Sequence, residues 1–304
     1  MESGCAVTFE KYEIKERPEK AAVIDYVTRQ ERAVSEPFVV SLAELLIEPF
    51  GINNRKVLER VRRVNSHFDV FVHHLDDVKD NPANGAASAH AAVTSLISGI
   101  RDIRCVNQKD MLFHRLFSYW QQASEGERHL WRHHGKLIPY DSEDFLMLGK
   151  RGAMAKTSIA LYADASNNDL PVLNLEKGVE EGAVAVQLCD DIFDWEKDLE
   201  SGIYTQPIVL AYQESGNLNN HQIERAVFSS NVFPVLVKTA NSYLTRAGKR
   251  FELASASKLT SCVYRMRDNL THLIEYLEEL KGSGIENNLT QRIRERADPL
   301  LLLH

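Results

Sequence analysis

Gln187–Asp198 reads QLCDDIFDWEKD and sets five carboxylates (Asp190, Asp191, Asp194, Glu196, Asp198) among Leu188, Ile192, Phe193 and Trp195. On a helix, positions 190, 194 and 198 recur every four residues. Each step rises about 6 Å and turns about 40° past a full circle. The spacing therefore predicts one slowly drifting acidic ridge, flanked by Asp191. Like charges on one helix face repel, and apolar neighbours raise the cost. Hard divalent cations take oxygen ligands and can bridge carboxylates to a phosphate, so they would offset that repulsion.

Working upstream, a second acidic cluster lies at Asp76, Asp77 and Asp80 in HHLDDVKDN. Val64, Phe68, Phe71, Val72 and Leu75 precede it at helical spacing. Two helices, each apolar along its length and acidic at one end, are expected to face each other across a hollow. His73 and His74 read as packing or surface groups, because a hard cation prefers oxygen donors.

Asp76–Asp80 (DDVKD) resembles the first aspartate-rich motif of trans-prenyl diphosphate synthases and class I terpene synthases. QLCDDIFD resembles the second motif of the prenyl synthases, Q-x-x-DD-x-x-D. Lys156-Thr157 between them resembles that family's Lys-Thr pair. The resemblance spans about Phe68 to Pro207. It implies an all-α fold, a single-domain bundle of roughly ten or more helices around a central apolar cavity. It implies that Asp76, Asp80, Asp190 and Asp194 form the catalytic metal site, holding three Mg²⁺ ions, with Mn²⁺ a substitute. Lys156 would hold the substrate diphosphate, with Arg151 and then Lys150 as second choices. Phe71 would floor the pocket, with Phe68 and Phe193 lining it. A homodimer is the family's habit.

The departures from that pattern are informative. Asn81–Ala86 (NPANGA) has no arginine where elongating synthases carry Arg-Arg-Gly. No Gly-Lys-Arg segment stands near Pro37–Arg55. Asp194 runs into WEKDLESGIYTQP, which resembles the acidic passage of squalene and phytoene synthases. The Asn/Asp-x-x-Ser-x-x-x-Glu triad of bacterial terpene cyclases is also missing. The expected function is therefore a class I terpene synthase: metal-dependent ionisation of a linear isoprenyl diphosphate, then cyclisation or elimination. The alternative is a prenyltransferase joining an allylic diphosphate to isopentenyl diphosphate or a second prenyl diphosphate.

The 304 residues carry 36 Lys+Arg against 43 Asp+Glu, a net charge of −7. That balance argues against a nucleic-acid partner, which would call for a basic face. The four cysteines form no C-x-x-C pair, so thiols in a reducing cytoplasm are expected. No run is long and apolar enough for stable membrane insertion. Residues 1–35 read as a charged amino-terminal arm and 36–304 as one helical domain. Within it, helices are expected over Phe38–Ile47, stopping before Pro49, then Asn53–Asp80, Ala86–Arg104 and Gln108–Ala123. Glu125–Gly135 reads as a polar stretch. Further helices are expected from Ser142 towards Ala165, over Val172–Asp198, Val209–Tyr212 and His221–Ser229, and finally Asn231–Leu253 and Leu259–Lys281.

Overall fold

Apolar side chains every three or four residues need a partner surface, and in this chain helices supply it for one another. The computed structural model describes residues 44–80, 85–104, 110–216, 219–229, 231–282 and 292–293, all within one unit, Pro37–His304. Residues 1–35, expected as an arm, lie outside the described residues.

The helices in chain order are α1 (Ile47–Phe50), α2 (Arg55–Asp80), α3 (Gly85–Arg104), α4 (Asp110–Leu130), α5 (Ser142–Arg151), α6 (Thr157–Ser166), α7 (Val172–Phe193), α8 (Trp195–Glu200), α9 (Gln206–Ser215), α10 (Asn220–Ser229), α11 (Val232–Leu253) and α12 (Ser257–Gly282). Short 3₁₀ turns follow α4 and α5, at Trp131–His133 and Gly152–Lys156. Among the described residues the only strand-like feature is one antiparallel bridge, His134 to Ile203. The all-α expectation is met, and no described helix is long and apolar enough to cross a membrane.

Two packing sets carry the core. α2 lies against α3, and α7 lies against α11, which in turn packs on α12. Val61 and Val64 of α2, Leu175 and Leu188 of α7, and Leu244 of α11 are fully removed from solvent. Burying each such side chain contributes on the order of 2 kcal/mol. Cys189 and Cys262 are buried free thiols.

Four boundaries differ from the periodic reading, each for a local reason. α1 includes Pro49, in the first turn of a helix where no intrahelical N–H bond is needed. α4 runs through Gly126 to Leu130, because Gly126 is where α4 meets α5. A Cβ there would lie 2.7 Å from the Met147 carbonyl oxygen and 2.9 Å from the Arg151 nitrogen. The helix expected from Ser142 to Ala165 is interrupted by the 3₁₀ turn at Gly152–Lys156, where Gly152 abuts Ala183 of α7. The expected Val172–Asp198 helix bends at Asp194 (φ −104°, ψ 12°) into the separate α8. That bend sends Trp195 wholly into the core. Gly202, at φ +71°, ends the acidic passage.

Candidate active site

The C-terminal end of α7, the bend and α8 form one wall of a cavity of about 360 Å³. Asp190, Asp191, Asp194 and Asp198 all line it. The ridge is thus folded into a cup rather than drawn along a straight helix. Backbone bonds hold the bend: the Asp194 N–H donates to the Asp190 carbonyl at 2.8 Å, and the Asp198 N–H to the Asp194 carbonyl at 3.0 Å.

The four carboxylates sit in unlike surroundings. Asp191 is almost fully buried (4 % exposed). Its Oδ1 accepts from Gln187 Nε2 at 3.3 Å, but its Oδ2 is buried with no hydrogen-bond partner. Burial first, and then the nearby Asp198 charge, push its carboxyl up to about 8. Burial and the Asp190 and Asp194 charges push Asp198 up to about 6, against a hydrogen bond from Thr205 Oγ1 at 3.1 Å. Asp190 is shifted upward by desolvation and by Asp194, although Gln187 donates to it at 3.1 Å. Among the described residues no three acidic, histidine or cysteine groups already converge as a metal site; the fit of this cup to a hard divalent cation lies in its chemistry, oxygen donors with one buried oxygen unanswered.

The opposite wall comes from the segment after α4 and from α5. Trp131, His133, His134 and Tyr140 line it, and Arg151 enters from the end of α5. Asp144 organises this wall. It is fully buried and accepts from Arg132 Nη2 at 2.6 Å and Arg132 Nε at 3.0 Å. The rings of His133 and His129 lie 2.9 and 3.1 Å from its Oδ1. Burial alone would raise its carboxyl, but Arg132, His133 and the Asp141 N–H together hold it at about 2. Asp141 and Asp144 also form a capping box that starts α5. α5 is thereby anchored at its first turn, and Gly126 sets its approach to α4.

The structure divides the expected site residues. Asp190, Asp194 and Arg151 meet at the cavity, where Arg151 is ion-paired with Glu127. Lys156, expected at the diphosphate, is 1 % exposed and is not among the described lining residues. Its Nζ donates to Gln122 Oε1 and to Glu180 Oε1, both at 2.6 Å, and lies 4.8 Å from the Tyr119 ring centre. Lys150 pairs with Glu125 at 2.9 Å. The side chains of Asp76 and Asp80 lie outside the described residues. Their helix reaches the cavity through His73, which lines it three residues before position 76 and seven before position 80.

Phe68 and Phe71 are buried in the core and Phe193 packs partly against it; none is among the described lining residues of this cavity. The hollow is polar at the acidic cup, whereas an apolar hollow of about 50 Å³ lies elsewhere, beside Gly178 and Phe251. Both phenylalanines of α2 obey the core-facing period of that helix, so the same signal that located the helix put them in its core. Asp191, Asp198, His73 and Tyr140 are cavity residues outside the expected set. Asp191 and Asp198 belong to the acidic stretch already singled out; Tyr140, in an irregular segment, carried no periodic signal.

No protein-family model matches the chain, and no curated protein matches it. Solved structures do. A polyprenyl synthase from Caulobacter crescentus, crystallised with calcium and isoprenyl diphosphate, superposes with a TM-score of 0.64 at 14% identity, over 78% of this chain and 88% of that one. Heptaprenyl diphosphate synthase from Staphylococcus aureus superposes with a TM-score of 0.57 at 14% identity, over 82% of this chain and 98% of that one. The chain has the all-α isoprenoid synthase fold of these polyprenyl synthases.

Proposed function

We propose that the chain is a divalent-metal-dependent prenyltransferase, which ionises an allylic prenyl diphosphate and joins the prenyl group to an acceptor. The observation that carries this reading is the carboxylate cup at the end of α7, with its unanswered Asp191 oxygen, in a chain of polyprenyl synthase fold. Asp190 and Asp194, with Asp76 and Asp80 contributed by α2, would hold the cations, Mg²⁺ being the expected ion. When bound, these would supply Lewis-acid stabilisation of the charge that develops on the departing diphosphate. Arg151 and Lys197, both on the cavity wall, give the diphosphate oxygens charge-assisted hydrogen bonds. Gln187 orients Asp190 and Asp191. The buried face of the cup limits water access to the allylic cation.

Cyclisation without an acceptor is the second reading, favoured by the absence of arginine from Asn81–Ala86. Purified chain with Mg²⁺ and geranyl, farnesyl or geranylgeranyl diphosphate separates the two. Diphosphate release that rises with added acceptor and yields a joined product supports transfer; a cyclic hydrocarbon made without acceptor supports cyclisation. No Mg²⁺-dependent release from any allylic diphosphate would sink both.

A further inference from the structure

We infer that the Tyr140 hydroxyl is a diphosphate-binding group, donating a hydrogen bond to a phosphate oxygen of the allylic substrate. The inference rests on the transferase reading above and adds to it a binding residue from the wall opposite the carboxylates. Tyr140 lines the cavity. Among the described residues its hydroxyl has no hydrogen-bond partner; the bond that Tyr140 makes is through its main chain.

The phenol is held in place. Its ring centre lies 4.7 Å from His133 and 5.9 Å from Phe145, the latter edge-on at 76°. Its main-chain N–H donates to Gln206 Oε1 at 2.9 Å, and the Gly135 N–H donates to the Gly202 carbonyl at 2.8 Å. Both bonds tie this wall to the chain just after the acidic passage. His133 is itself set, its ring nitrogens lying 2.9 Å from Asp144 Oδ1 and 3.1 Å from the Ile138 carbonyl oxygen. A side chain fixed in this way gives up little freedom when a ligand arrives.

Two unanswered atoms define what fits. Asp191 Oδ2 is a buried oxygen with no hydrogen-bond partner, and the Tyr140 hydroxyl is a donor with no acceptor. The two are not bonded to each other, so an occupant has to answer both. Burial first, and then the Asp191 charge, raise the phenol well above its ordinary range, Asp198 adding to the rise and Arg151 opposing it. The hydroxyl is therefore within reach of the charges around the cup, and it stays a donor rather than a phenolate. A cation with its diphosphate offers a positive end to a carboxylate and an anionic oxygen to a hydroxyl. A prenyl tail offers neither. A hydrogen bond to an ionised oxygen is also stronger than one between neutral groups.

The test uses the full chain. Calorimetry with Mg²⁺ and inorganic pyrophosphate reads binding, and diphosphate release from farnesyl diphosphate reads turnover. Tyr140→Phe keeps the ring and removes the hydroxyl. It should weaken pyrophosphate binding and raise the KM for farnesyl diphosphate about ten-fold, the worth of one hydrogen bond to a charged group. Affinity for Mg²⁺ without pyrophosphate, and the Tm, should stay as in the unsubstituted chain. Tyr243→Phe removes a phenol from the same aromatic row, its ring centre 5.9 Å beyond Phe145 and outside the described cavity lining; it should change none of these. Pyrophosphate binding and KM unmoved by Tyr140→Phe would overturn the assignment and leave the transferase reading standing. So would an equal loss of affinity for Mg²⁺ alone, the mark of a structural role. No Mg²⁺-dependent release from any allylic diphosphate by the unsubstituted chain would overturn the transferase reading and this inference together.

Discussion

Midway along α7, Glu180 accepts from the Lys156 ammonium at 2.6 Å, and one turn earlier Glu176 accepts from the Tyr119 hydroxyl. Near the end of the same helix, Asp191 keeps a buried oxygen with no partner; burial and then the Asp194 charge push Asp190 towards protonation, and beyond the bend burial and the Asp190 charge push Asp198 the same way. The first region answers its carboxylates from within the chain. The second gathers carboxylates and leaves one buried Asp191 oxygen unanswered. A buried charge paired internally serves the fold; a cluster left in mutual repulsion weakens the free protein and is relieved only by what binds. Basic residues five apart in sequence are sorted by the same rule, with Arg151 on the cavity wall and Lys156 in the core.

The largest effect is expected at the answered site. Lys156→Met should cost roughly 3 kcal/mol in denaturant unfolding, since it strands Glu180. Lys156→Met with Glu180→Leu should recover most of that loss. An unchanged stability for Lys156→Met, with a raised KM for the allylic diphosphate, would break the comparison and return Lys156 to the substrate. Next, at the unanswered site, Asp190→Asn should lower metal-dependent diphosphate release about a hundred-fold without loss of helical circular dichroism.

The pH dependence sharpens the contrast. Asp191 is raised to about 8 in the folded chain from an ordinary 3.8, so the native state holds the proton more tightly than the unfolded one. Without metal, the contribution of Asp191 to stability should be fullest below about pH 4 and should be lost as pH rises towards 8. Asp191→Asn should flatten that slope in denaturation series, as should saturating Mg²⁺ with pyrophosphate. An equally steep slope in Asp191→Asn would remove Asp191 as its source. The smallest effect is expected at the α5 cap. Asp141→Ala should cost about 1 kcal/mol, read as a lower Tm, with half of the capping box gone.

Helix identity was legible because each long element repeats its apolar residues at helical spacing, and α2, α7, α11 and α12 fall within a few residues of the expected spans. The clustering of the acidic motif was legible because its carboxylates recur at helical spacing among apolar neighbours. The direction of Lys156 was not. It depends on the 3₁₀ turn after Gly152, which advances the chain by about 120° per residue instead of about 100°, and that turn is set by contact with Ala183 of another helix. The wall at Trp131–Tyr140 was equally hidden, since it has no period and is shaped by Asp144, whose partners Arg132, His133 and His129 stand eleven to fifteen residues earlier. Gly126 fell inside a stretch read only as polar, because its role is an approach between helices, which no window along the sequence contains.

The stitch between Gly135 and Gly202 carries a thermodynamic consequence. It joins the two banks of the cavity by their main chains, so the receptor arrives already shaped. Calorimetry of an occupant entering it should therefore show little entropic penalty from loop ordering. Exchange of the Gly135 amide with deuterium should be slow before any occupant arrives and hardly slower afterwards.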